Sequence, residues 1–174
     1  MNARLLPLAL LVASCAPAPA SFTDGERGAV VEEVRAASFA LQDALNAHDP
    51  DAILSHYALD ADFVYVGCTN YMFGGDLFGT IVAGYHRQHP EATWDLSVQS
   101  LRALGPGAAV VSLQGRGGPL SDLFVTRVLE KDEGGRWLVV HEHESWPGCS
   151  APAAPHPGTA PGDTAAITPE GGAF

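Results

Sequence analysis

Positive charge is scarce in this chain: nine Lys and Arg stand against 20 Asp and Glu in 174 residues. The nine are scattered with no cluster of three, which excludes the basic stripe that a phosphate-neutralising, nucleic-acid-binding protein needs. The acid excess is accounted for by solubility. Cysteine is almost as rare, with only Cys15, Cys68 and Cys149. No internal repeat is visible, and no apolar run at the N-terminus is long enough to span a bilayer.

What the first fifteen residues do have is one charge, Arg4, then the apolar stretch Leu5 to Val12 interrupted by Pro7, then Ala13-Ser14-Cys15. That is the layout of a secretion signal. Val12-Ala-Ser-Cys15 resembles the lipobox of bacterial lipoproteins, which implies cleavage before Cys15, a lipid on its thiol, and a membrane-anchored protein of the cell envelope facing periplasm or exterior. A secreted protein cut after Ala18-Pro-Ala20 is the other reading. Either way Arg4 is lost, leaving eight cations against the same carboxylates, and Cys68 and Cys149 remain as an even pair in an oxidising compartment. One disulfide fits them, closing a loop whose removal from the unfolded chain's freedom is worth roughly 4 kcal/mol. Two free thiols fit as well, since the sequence carries no Cα separation.

Both ends of the mature chain lack large apolar residues. Residues 16–27 read as a tether, and 148–174, rich in Pro, Gly and Ala, as a disordered tail that cannot bury enough surface to offset ordering. The remaining 28–147 form one domain.

Inside it, Val30, Val34, Ala37, Leu41 and Leu45 recur at spacings of three and four, predicting an amphipathic helix over about 27–47. Asp49-Pro50 then supplies a cap and a first helical residue for a short second helix carrying Ile53, Leu54 and Tyr57. Phe63 to Cys68 is β-branched and aromatic and reads as a buried strand, with turns at Thr69-Asn70 and Phe73 to Asp76. Residues 77–89 return to a helical period through Leu77, Ile81 and Tyr85, although Gly79 and Gly84 weaken it. Four strand-length runs follow, Thr93–Leu104, Ala108–Gln114, Asp122–Glu130 and Arg136–Trp146, joined by Gly-bearing turns, which is the pattern of an antiparallel meander. Helices first and a meander after predict an α+β fold with helices on one face of a curved sheet.

The last strand carries the candidate chemistry. With side chains alternating at period 2, Trp137, Val139, His141, His143 and Ser145 share one face, and Leu138, Val140, Glu142 and Glu144 the other.

The element order, together with Asn46 to Tyr57 followed by Asp62-Phe63, Leu104 to Val111 and the closing Trp-to-Ser strand, resembles the NTF2-like superfamily, in particular its DUF4440 and SnoaL-like branches. The resemblance covers about 28–147. It implies a cone-shaped domain, N-terminal helices wrapped by a strongly bent, mostly antiparallel sheet, with a pocket at the open end and a homodimer formed through the convex face. On the family pattern the face bearing His141, His143 and Ser145 points inward, with Tyr65, Tyr85 and Trp94 as neighbours able to contact a ligand. A narrower likeness joins His141-Glu-His-Glu-Ser145 to the His-His-His-Ser-Ser motif that closes the iota-class carbonic anhydrases, with departures at Glu142 and Glu144.

One cone hosts many activities, so function has to come from the pocket. A module binding a small apolar or amphipathic molecule, tethered through Cys15, is the favoured reading. The alternative is an acid-base enzyme in which His141 or His143 moves a proton and Tyr65 or Tyr85 donates to a developing oxyanion, isomerase- or dehydratase-like, or carbonic-anhydrase-like. No metal is assigned, because His141 and His143 need a third ligand the sequence does not name, and His86 and His89 fall where a helix C-terminus favours histidine at an exposed position. No cofactor is expected.

Overall fold

The computed structural model describes residues 22–149 apart from Thr69. The signal segment with Cys15, the start of the tether and nearly all of the tail lie outside the described residues.

The first helix, α1 (Asp24–Ala47), begins three residues before the expected start. Thr23 is its N-cap, accepting from the Glu26 N–H while the Glu26 carboxylate accepts from the Thr23 N–H. This reciprocal capping box offsets the unpaired donors of a helix start, so the helix extends into what reads as tether. Its buried stripe is Val30, Val34, Ser38, Leu41, Ala44 and Leu45. Ala37 packs partly buried against the core as expected, and Ser38 beside it joins the stripe because its hydroxyl donates back to the Val34 carbonyl at 2.8 Å, which satisfies it inside the core. The helix stops at His48, whose φ of 52° places it in the left-handed region. Asp49 caps the short α2 (Pro50–Leu54), accepting from Asp51 and Ala52.

The sheet has six strands in the order β2-β1-β6-β5-β4-β3. These are β1 (Val64–Gly67), β2 (Asn70–Phe73), β3 (Trp94–Gly105), β4 (Ala108–Gly117), β5 (Leu120–Lys131) and β6 (Trp137–Ser145). The expected meander is β3 to β6, all antiparallel, and β1 joins its edge parallel to β6. A turn was expected where β2 stands. Asn70 to Phe73 instead folds back on β1, with Cys68 at a φ of 52° in the hairpin connection.

Between β2 and β3 lies α3 (Gly75–Gln88). Its first residue packs against the Leu59 backbone, and a Cβ there would fall 2.6 Å from the Leu59 Cα, so glycine permits the approach. The face turned inward is Phe78, Ile81, Val82 and Tyr85, at the i, i+3, i+4, i+7 positions. Leu77, expected on that face, is exposed.

Helices and concave sheet enclose one core that includes Val34, Leu41, Ile53, Phe63, Val111, Val125 and Val139. Cys68 and Cys149 are joined by a disulfide with Cα atoms 5.3 Å apart, tying the chain after β6 to the β1–β2 hairpin.

Candidate functional site

The decisive local feature is a bulge in β6. Leu129 pairs with Val139, but Val128 pairs with His141, so Val140 has no partner across the ladder. One extra residue resets the alternation of everything after it. Trp137 and Val139 are buried on the concave side as period 2 requires, and beyond the bulge Glu142, Glu144 and Trp146 turn to that side. The bulge falls where β6 changes neighbours: Val139 exchanges backbone hydrogen bonds with His56 and Ala58, while His141 to Glu144 pair with β1.

The expectation that His141, His143 and Ser145 point into the pocket is therefore corrected. His141 and His143 pair with Val128 and Thr126 on the outer face of β5, His143 is exposed, and none of the three lines the cavity. Among the described residues no group of three or more His, Cys, Asp and Glu converges as a metal site.

A cavity of about 130 Å³ opens between α3, the start of β3 and the concave face of β5 and β6. Its walls are mostly apolar, with Phe78, Ile81, Met72 and Leu123 among them. The polar groups gather on the β6 side. Arg127 and Glu142, each 2% exposed, form an ion pair through the Arg127 Nε and Glu142 Oε2. The Tyr57 hydroxyl donates to the same carboxylate oxygen at 3.1 Å. Beside them the Tyr65 hydroxyl donates to Glu144 Oε2 at 2.7 Å.

The electrostatics follow from this crowding. Burial and the neighbouring Glu142 carboxylate push the Glu144 carboxyl up to about 7, against the opposing pull of the Tyr65 hydrogen bond and the Arg127 charge. Burial and the adjacent carboxylates hold Tyr57 and Tyr65 well above the usual phenol range, so both act as hydrogen-bond donors. The Arg127 guanidinium stays charged, because Glu142 and its neighbours outweigh its desolvation. Glu144 has no cation within salt-bridge distance among the described residues.

Tyr65, Tyr85 and Trp94, expected as ligand contacts, all line this cavity. Trp94 is fixed by α1: the Asn46 amide accepts from its N–H at 2.7 Å and donates to its carbonyl at 2.9 Å. Tyr85 lies over Gly118, which has a φ of 57° and no room for a side chain, since a Cβ would meet the Tyr85 hydroxyl at 2.1 Å. His86 departs from expectation. It is 5% exposed and stacks on Trp94 at 5.0 Å, with its Nδ1 3.1 Å from that of His48. Burial, and then His48, lower its pKa. His89 lies at the helix end 3.7 Å from Glu91.

Sequence reasoning missed Tyr57, Arg127, Glu142 and Glu144. An Arg in the middle of the apolar strand Leu123 to Leu129 was the available signal, because a charge at a core position needs a buried partner.

No protein-family model and no curated protein matches the chain. Solved structures do. A proposed dehydratase of the NTF2-like family from Streptomyces avermitilis superposes with a TM-score of 0.59 at 19% identity, covering 69% of this chain and 97% of that one. An NTF2-like protein of unknown function from Shewanella oneidensis gives 0.55 at 18% identity, over 66% and 97%. A ketosteroid isomerase-like protein from Erwinia carotovora gives 0.50 at 18%, over 67% and 95%.

Proposed function

The chain is an NTF2-like domain by fold, and we propose that its cone binds a small, largely apolar molecule carrying one polar group. The observation that carries this reading is the cavity itself: apolar walls from α3 and β3, and hydrogen-bonding groups collected on one side at Tyr65 and Glu144. Its volume sets the scale, since an apolar protein cavity of about 150 Å³ accommodates benzene. A body of about one ring is the size that fits. Titration with one-ring compounds, followed by the indole resonances of Trp94 and Trp146, tests it. Saturable shifts at both indoles are expected, and shifts confined to the outer sheet face would contradict it.

Acid-base catalysis is the second reading, moved from His141 and His143 to Glu144. A carboxyl held at about 7 exchanges a proton at neutral pH, and Tyr65 beside it is a donor for developing negative charge. The dehydratase and isomerase-like names among the structural neighbours support this reading. Its test is proton exchange at the α-carbon of a bound one-ring ketone, which Glu144→Gln should abolish.

The tether and the dimer belong to the same reading. Cys15 carries the lipid anchor to an envelope membrane, and mass spectrometry of membrane fractions should find a lipid-modified N-terminus, whereas an unmodified Ser21 start would refute it. The outer sheet face displays Tyr71, Phe73 and Phe124, the first two 64% and 71% exposed, beside His143. Such exposed aromatic area supports a second copy docking there, and a monomer mass in light scattering would contradict that.

A further inference from the structure

We infer that the cavity selects an organic cation, a protonated amine on a body of about one ring, with its ammonium seated at Glu144 among aromatic faces. This rests on the small-molecule reading above and names the ligand class. Two independent features of the cavity carry it.

The first is charge. Arg127 and Glu142 neutralise each other as a buried pair, and Tyr57 and Tyr65 are neutral donors. The remaining carboxyl, Glu144, has no cationic partner among the described residues, although it shares the cavity wall with that pair. Of the other titratable groups at the cavity, His86 is held neutral by burial and by His48, and Tyr85 is raised by burial and by Glu91. With both glutamates ionised, the site is one positive charge short. An anion would add to that deficit, a neutral ligand would leave it, and an ammonium closes it. In its absence a proton on Glu144 does the same, consistent with the raised carboxyl.

The second is the number of aromatic rings in the lining. Tyr65, Phe78, Tyr85, Trp94 and Trp146 all line the cavity. Aromatic faces carry negative quadrupole potential and attract desolvated cations, most strongly where the ring is Trp. An aliphatic lining would serve a neutral molecule equally well, so this density of rings beside an uncompensated carboxyl favours a cation. The net charge of −11 adds long-range attraction of the same sign.

The test compares three one-ring probes on the full chain at pH 8 by NMR titration: benzylammonium, its neutral isostere benzyl alcohol, and benzoate. Benzylammonium should bind roughly tenfold tighter than the alcohol, with benzoate weakest. Glu144→Gln should erase the preference for the amine over the alcohol, while Tyr65→Phe, which keeps the ring, should retain it. Equal affinity of amine and alcohol for the unaltered chain overturns the cation inference and leaves the pocket reading standing. Failure of all three probes to saturate overturns both.

Discussion

The Tyr65 hydroxyl and the Glu144 carboxylate meet at 2.7 Å on the wall of a mostly apolar cavity, and the burial and neighbouring Glu142 charge that raise Glu144 against this hydrogen bond couple the stability of the domain to pH. Glu144 titrates near 7 in the folded chain and near 4.5 when free. A carboxyl whose folded-state pKa is raised favours folding while protonated. Its contribution is therefore complete below about pH 4.5, falls as pH rises to about 7, and is constant above. Denaturant unfolding of Glu144→Gln should show that fall removed, with the variant gaining on the order of 3 kcal/mol relative to the unaltered chain between pH 4 and pH 8.

Arg127 and Glu142 are a buried pair, so removing either partner leaves an uncompensated buried group. Arg127→Met is expected to destabilise by roughly 3 to 5 kcal/mol. The double change Arg127→Met with Glu142→Gln should recover much of that, and the interaction energy from the double-mutant cycle measures the pairing.

The Cys68–Cys149 disulfide closes a loop with a sequence separation of 81. Replacing both cysteines by serine should lower unfolding free energy by about 4 kcal/mol, chiefly by freeing the unfolded chain. Equal stability with and without reductant would show that the bridge contributes nothing.

His141 and His143 lie on the outer face of the sheet. Alanine at either position should change stability by no more than about 0.5 kcal/mol, the ordinary range for surface substitutions, and leave probe affinity in the cavity unaltered. Titration of the two variants against the same one-ring probes checks this.

Most of the fold was legible because periodicity and turn chemistry carry it. Val30, Val34, Leu41 and Leu45 announce α1, Asp49-Pro50 announces α2, and the glycine turns announce the meander. The Thr23-x-x-Glu26 signal for the true start of α1 was present and unread. The site was harder for a physical reason. A bulge at Val140 has no mark in the sequence, since neither Val140 nor His141 is a residue that a bulge demands, and it arises where β6 exchanges the Tyr57 segment for β1 as its neighbour. Strict alternation through Val140 put the histidines inward and the glutamates outward, one residue out of phase with the chain. Tyr65 and Tyr85 reach the cavity because they stand on elements without such an interruption, and Trp94 because it precedes the register shift that β3 has between Val98 and Ser100.

Glu144, turned inward by that bulge, is the ionisable group of the proposed ligand pocket without a cationic partner among the described residues. This is tested most directly by following the Glu144 side-chain carboxyl carbon by NMR from pH 3 to pH 9, assigned with Glu144→Gln. A midpoint near 7 is expected. A midpoint near 4.5, the value of a carboxyl in water, would contradict it.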